Sequence, residues 1–172
     1  MNQPLADLIR PRNLDDVAGQ EHLVGPSGIL RRMIESNRIC NMIFTGPPGT
    51  GKTTVANIIA QKSGMVLHKL NATTASLSDV KEIAASTDNV FGAGGVLLYL
   101  DEIQYFNRKQ QQSLLSYMED GRITLIASTT ENPYMAIYNA ILSRSTVFQF
   151  KPVSPESCLK VLKRALATLN ET

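Results

Sequence analysis

Eight consecutive residues, Gly46-Pro47-Pro48-Gly49-Thr50-Gly51-Lys52-Thr53, constrain this chain more than any other feature. They fit the pattern G-x-x-x-x-G-K-[ST]. Main-chain amides can close around a row of phosphates only where no side chain intervenes, so glycines occupy the turn. A helix that starts directly afterwards points its unpaired N–H groups and its dipole at the anion. The flanks agree with this arrangement. Asn41 to Thr45 is short and apolar, as a buried strand is, and Lys52 to Lys62 places Val55, Ile58 and Ile59 on one helical face. A chance match is expected at most about 0.01 times in a chain of this length. Gly46, Pro47, Pro48, Gly49, Thr50 and Gly51, followed by Thr54, are therefore expected to wrap a nucleoside triphosphate. Lys52 is expected to reach the β- and γ-phosphates, and the Thr53 hydroxyl to bind Mg²⁺.

A second element sits 49 residues beyond Lys52. The apolar run Val96-Leu97-Leu98-Tyr99-Leu100 ends in Asp101-Glu102. A continuous apolar run of this length reads as a strand covered on both faces. Two acids at such a strand end are either a solvated terminus or the partner of the phosphate loop. In the second reading Asp101 holds Mg²⁺ and Glu102 polarises an attacking water.

The rest of the chain alternates. Residues 1–25 read as an irregular arm with a short helical turn. A helix is expected from Gly28 to Arg38, a strand from Met65 to Leu70, and a helix from Ser76 that fades near Asp88-Asn89. Further elements are a helix from Asn107 to Met118, a strand from Ile123 to Ala127, a single short helix from Ala136 to Leu142, and a last strand through Val147, Phe148 and Phe150. Five strands alternating with helices predict an α/β fold, a parallel doubly wound sheet with ligands at the carboxyl ends of its strands. Ser154 and Pro155 then open a helix with an apolar stripe through Cys158, Val161, Leu162, Ala165, Leu166 and Leu169. That helix either packs back on the sheet or starts a second domain. The second option is favoured, so the sequence reads as a fragment, with a core over 1–150 and the first helix of a truncated lid over 151–172.

Composition narrows the function classes. Apolar residues are 43% and charged residues 19% of the 172, enough for a core and too few charges for general disorder. The net charge of +2 excludes a strongly basic nucleic-acid clamp. Two distant cysteines, Cys40 and Cys158, make no disulfide framework, and two isolated histidines make no metal centre. No apolar run approaches a membrane span and the first ten residues are no secretory signal, so the expected location is the cytoplasm. Arg31-Arg32 and Arg108-Lys109 read as solvated helix faces, Tyr105-Phe106 as packing, and Met33, Met42, Met65, Met118 and Met135 as core or half-buried positions.

Taken together, the phosphate loop, Asp101-Glu102, Ser143-Arg144 and the opening Ile9-Arg10-Pro11 with Gly19-Gln20 resemble AAA+ ATPases of the clamp-loader and Holliday-junction-motor type. The stretches Gly19-Gln20-Glu21-His22-Leu23, Asp101-Glu102-Ile103-Gln104-Tyr105-Phe106-Asn107 and Thr129-Thr130-Glu131-Asn132-Pro133 are closer still to the MgsA group, the replication-associated recombination protein A ATPases. The resemblance implies that Thr130, or else Asn132, is the sensor beside the γ-phosphate. It implies that Arg144 is an arginine finger acting on a neighbouring subunit's nucleotide; without the resemblance, Arg144 reads as a surface arginine. It also implies that Arg10, Pro11 and Val17, in the arm over 1–25, cup the adenine. ATP and Mg²⁺, a homo-oligomeric ring, DNA with forked, gapped or single-stranded-end structures and single-stranded-DNA-binding protein come with the same resemblance, as do roles in replication, recombination and repair and, for a bacterial protein, a place at the nucleoid. Ser145 stands where the related pattern often has cysteine, and Gln104-Tyr105 where it usually has His-Arg.

The leading expectation is an ATP hydrolase acting on DNA, weakly active as an isolated piece. The alternatives are a nucleotide-dependent recruitment module for replication proteins and a P-loop small-molecule kinase. The kinase lacks an acceptor-binding arginine cluster, and a GTPase would need an Asn-Lys-x-Asp stretch that is absent.

Overall fold

The architecture is described from a computed structural model over residues 3–88 and 95–171. The arm contains α1 (Leu5–Leu8), a 3₁₀ turn at Leu14–Asp16 and α2 (Glu21–Val24), and leads into α3 (Ile29–Glu35). There follow β1 (Met42–Thr45), α4 (Lys52–Ser63), β2 (Val66–Asn71), α5 (Leu77–Ala85) and β3 (Val96–Asp101). The chain continues through α6 (Arg108–Glu119), β4 (Ile123–Thr129), α7 (Pro133–Ala136), α8 (Asn139–Leu142), β5 (Thr146–Gln149) and α9 (Pro155–Asn170). Asn89 and Gly94, which flank the expected end of α5 and start of β3, lie outside the described residues.

The five strands form one parallel sheet in the order β2-β3-β4-β1-β5. Parallel strands need crossovers, and the helices that supply them cover both faces. Strand residues alternate between two cores. Met42, Phe44, Leu97, Tyr99, Ile126 and Phe148 pack towards α3 and α4. Ile43, Leu98, Leu100, Leu125 and Ala127 pack towards α5, α6 and α8. The expected α/β class and parallel doubly wound sheet are therefore what the chain adopts.

Strand and helix ends follow local chemistry. Asn107 and Gln110 form a reciprocal capping box at the start of α6, and Ser76 with Asp79 does the same for α5. Gly64, at φ +72°, closes α4 in the left-handed conformation.

Several expectations need correction. The single helix expected over Ala136–Leu142 is two short helices, α7 and α8, broken at an extended Ile137. The Gln111 side chain explains the break: it donates to Ala136 O at 3.3 Å and accepts from Tyr138 N at 2.7 Å, replacing helical partners. Met135, on the outer side of α7, is 85% exposed and is not a core residue. Tyr105 is exposed while Phe106 is buried, so only the second packs. Arg31 is no solvated face: its Nε donates to Val24 O at 2.6 Å and its guanidinium meets Asp15 at 2.7 Å. The carbonyls left open at the end of α2 attract a cation there.

Helix α9 runs beside the arm. Arg164 donates to Ile9 O at 3.2 Å and Asp16 O at 2.8 Å. Leu159, Leu162 and Leu166 on the same helix remain more than half exposed.

Candidate nucleotide site

The sheet register sets the geometry of the site. Thr45 pairs with Thr129, so the end of β1 and the end of β4 stand level, with β3 beyond. The chain leaves β1 through Gly46, whose φ of +144° excludes other residues. A Cβ on Gly46 would meet Phe150 O at 2.3 Å. A Gly46→Ala protein is therefore expected to lose roughly 2–6 kcal/mol of stability from backbone strain and overlap together. Urea unfolding monitored by circular dichroism measures it; an unchanged midpoint would refute the account. Gly51, at φ +99°, is the N-cap residue of α4.

The loop is braced from outside. Gln20 is fully buried, donating to Thr50 O at 3.1 Å and Lys151 O at 2.8 Å and accepting from Lys151 N at 3.0 Å. One amide thus ties the arm, the phosphate loop and the segment leading to α9. Thr50 Oγ1 donates to Pro47 O at 2.8 Å within the loop.

Lys52 Nζ donates to Gly46 O at 2.6 Å and Pro47 O at 2.8 Å. Burial pushes its pKa below the usual lysine value, and the negative charges of Asp101 and Glu102 pull the other way. The lysine and the acid pair therefore share one electrostatic environment. Thr53 Oγ1 donates to Tyr99 Oη at 3.3 Å. The Tyr99 hydroxyl is held protonated above its ordinary pKa, first by burial.

Asp101 ends β3 and accepts a hydrogen bond from Ser128 Oγ of β4. Ser128 Oγ also accepts from Glu102 N at 3.3 Å. Glu102 itself turns sharply, at φ +57°. Its Oε2 accepts from Gln104 Nε2, and from Thr130 Oγ1 at 3.5 Å. Asn132 uses its Oδ1 to cap α7, accepting from Tyr134 N at 3.0 Å. Thr130 and Asn132 both line a cleft of about 810 Å³ with Thr45, Gly46, Pro47 and Pro48.

The second half of the loop lines a different pocket. Gly49, Thr50, Gly51 and Thr54 meet Pro11, Val17, Ala18, Val153, Cys158, Val161 and Leu162 around about 390 Å³ of largely apolar space. Pro11 and Val17 both line this pocket. Arg10 does not join them: it lines a neighbouring cavity with Asn57 and Gln61 and pairs with Asp7 at 3.4 Å. Pro11 lines both cavities, whereas Arg10 lines the neighbouring one and not the apolar one. Ala18, Val153, Cys158, Val161 and Leu162 are wall residues that sequence reasoning missed. The apolar stripe of α9 was the available signal.

Arg144 lies elsewhere. Its guanidinium meets Glu119 at the end of α6 at 2.7 Å and Ala140 O at 3.0 Å. Those partners are not part of this chain's phosphate loop.

A family model described as the Holliday junction DNA helicase RuvB P-loop domain matches residues 9–143. The chain belongs to that family. Curated relatives named replication-associated recombination protein A match over 95% of the chain, at 41% identity in Coxiella burnetii and 40% in Bacillus subtilis. The chain spans 37% and 38% of those two proteins. The likeness to that group read from the sequence holds. The solved Thermotoga maritima RuvB Holliday junction branch migration motor aligns with a TM-score of 0.79 at 25% identity, over 94% of this chain and 55% of that one. This is a nucleotide-binding AAA+ P-loop core.

The donors around Thr53 and Asp101 suit Mg²⁺. A hydroxyl and a carboxylate are hard oxygen ligands, and Mg²⁺ usually takes only one or two carboxylates, filling its shell with water and phosphate. Among the described residues no group of three or more His, Cys, Asp or Glu side chains is placed to hold a metal by itself. Also among the described residues, no helix is long and apolar enough to cross a membrane.

Proposed function

We propose that this chain binds ATP with Mg²⁺ and hydrolyses it, and that the hydrolysis serves work on DNA in replication, recombination and repair. The observation that carries the reading is the convergence at the ends of β1 and β3. Lys52 on the loop, and Asp101 and Glu102 opposite, act on one another electrostatically, with Thr130 bonded to Glu102. Gly46 to Thr54 would enclose the triphosphate, and Lys52 would neutralise charge on its outer phosphates. Thr53 and Asp101 would hold Mg²⁺, which would offset the negative charge of the phosphates. Glu102 would orient water at the γ-phosphate and Thr130 would complete that wall. The apolar pocket of Pro11, Val17, Val161 and Leu162 suits a flat base in chemistry and size.

Arg144 is read as the finger acting on a neighbouring copy. Its exposed position on the surface, held by Glu119, supports action outside its own subunit. Helix α9, with its exposed leucines and its face on the base pocket, is read as the start of a helical lid over the core of 1–150. DNA, a homo-oligomeric ring, single-stranded-DNA-binding protein and a cytoplasmic location, at the nucleoid for a bacterial protein, belong to the same reading and rest on family likeness. The relatives' names speak of replication and recombination, and the solved neighbour's of Holliday junctions.

The experiment is phosphate release from ATP, by the chain alone and by the longer protein, with forked, gapped and duplex DNA. The expected outcome is slow release by the chain and DNA-dependent stimulation in the longer protein. Binding without release would favour the recruitment module, and phosphate appearing on an added nucleoside would favour the kinase.

A further inference from the structure

We propose that Gln104 is a positioning residue that aims Glu102 for hydrolysis; this rests on the hydrolase reading above. Glu102 follows directly on the end of β3, and its backbone turns left-handed there. A glutamate carboxylate at the end of three rotatable bonds does not hold one direction unaided. Two hydrogen bonds hold this one, and both fall on Oε2: from Gln104 Nε2 and from Thr130 Oγ1. Oε1 is thereby the oxygen directed to accept a hydrogen bond from water.

The Gln104 amide is itself fixed. Thr129 Oγ1 donates to Gln104 Oε1 at 2.9 Å. Thr129 is completely buried in β4, and its hydroxyl also accepts from Glu131 N at 3.1 Å. The chain of contacts therefore runs from a rigid central strand, through an amide with one donor and one acceptor in use, to the carboxylate. An amide orients a carboxylate without competing for its proton, because it neither gains nor loses charge near neutral pH. Thr129 and Gln104 stand 25 residues apart, so the pairing exists only in the folded sheet.

Three variants test this, in single-turnover hydrolysis of labelled ATP by excess protein, with ATP affinity measured separately by a fluorescent analogue. Gln104→Met keeps the length of the side chain and removes both hydrogen bonds. It is expected to lower the hydrolysis rate by roughly 10²-fold, the cost of misplacing a reacting group by about an ångström, with ATP affinity unchanged. Gln104→His retains one donor and one acceptor in its neutral ring, and is expected to recover most of the rate. Gln104→Met added to Glu102→Gln is expected to cost nothing further, because the residue acts through Glu102.

An unchanged or faster rate in Gln104→Met would overturn the proposal. So would an equal loss on the Glu102→Gln background, or a loss traced wholly to ATP affinity. Circular dichroism melting of each variant identifies a protein that has simply unfolded, and Gln104→His then carries the comparison: a folded Gln104→His no faster than Glu102→Gln would also overturn it. Full turnover by Glu102→Gln, or none by the unsubstituted chain, would strike the hydrolase reading itself.

Discussion

Replacing Glu102 by glutamine is expected to leave ATP bound and to slow its hydrolysis by about 10²- to 10⁴-fold. Glutamine has nearly the same shape, so the turn at φ +57° and the contacts at the end of β3 persist. The negative charge proposed to orient water is lost. The groups proposed to bind phosphate are elsewhere: Lys52 and Thr53 are held by Gly46 O and Tyr99 Oη, not by that carboxylate. Affinity and turnover should therefore separate. Single-turnover phosphate release gives the rate, and titration with a fluorescent ATP analogue gives the affinity. Unchanged turnover would remove Glu102 from its role.

Arg144→Ala is expected to reduce hydrolysis by the assembled oligomer by about 10³-fold or more, the range for an arginine supplied to a neighbour's nucleotide. The fold should tolerate the change. The pair of Arg144 with Glu119 joins two side chains that are each nearly half exposed, and such pairs contribute about 0–1 kcal/mol. Mixing makes the prediction sharper. Glu102→Gln supplies a sound finger and a dead site, while Arg144→Ala supplies the reverse. Neither should turn over alone, and a mixture should regain activity at interfaces where a sound finger meets a sound site. A mixture no better than its parts would end the trans reading.

Much of the site is written in short runs of sequence. The phosphate loop is eight consecutive residues whose chemistry needs only a preceding strand and a following helix, and both are present. Asp101-Glu102 was legible because a fully apolar run with acids at its carboxyl end has few other uses beside such a loop. Ser154 was legible as a helix cap for the same local reason, and Ser76 and Asn107 cap the helices that were expected to start at them.

Positions decided by distant partners were misread. Arg31 looked like half of a solvated pair until the open carbonyls of Val24 and Gly25 came beside it. The break between α7 and α8 is made by Gln111, more than 20 residues upstream. Arg10 and Pro11 are neighbours in the chain, yet of the two it is Pro11 that lines the apolar pocket beside the loop.

The alternation of elements, the parallel α/β class and the phosphate loop were determined by the sequence alone, because periodicity and turn chemistry act over a few residues. The walls of the apolar pocket beside the loop, the bracing of the loop by Gln20 and the hold of Gln104 on Glu102 were decided only by tertiary structure. Those contacts join residues made adjacent by strand order and register, and Gln20 with Lys151 spans 131 positions. A hydrogen bond of that kind has no local signature, since either partner on its own would be satisfied by water.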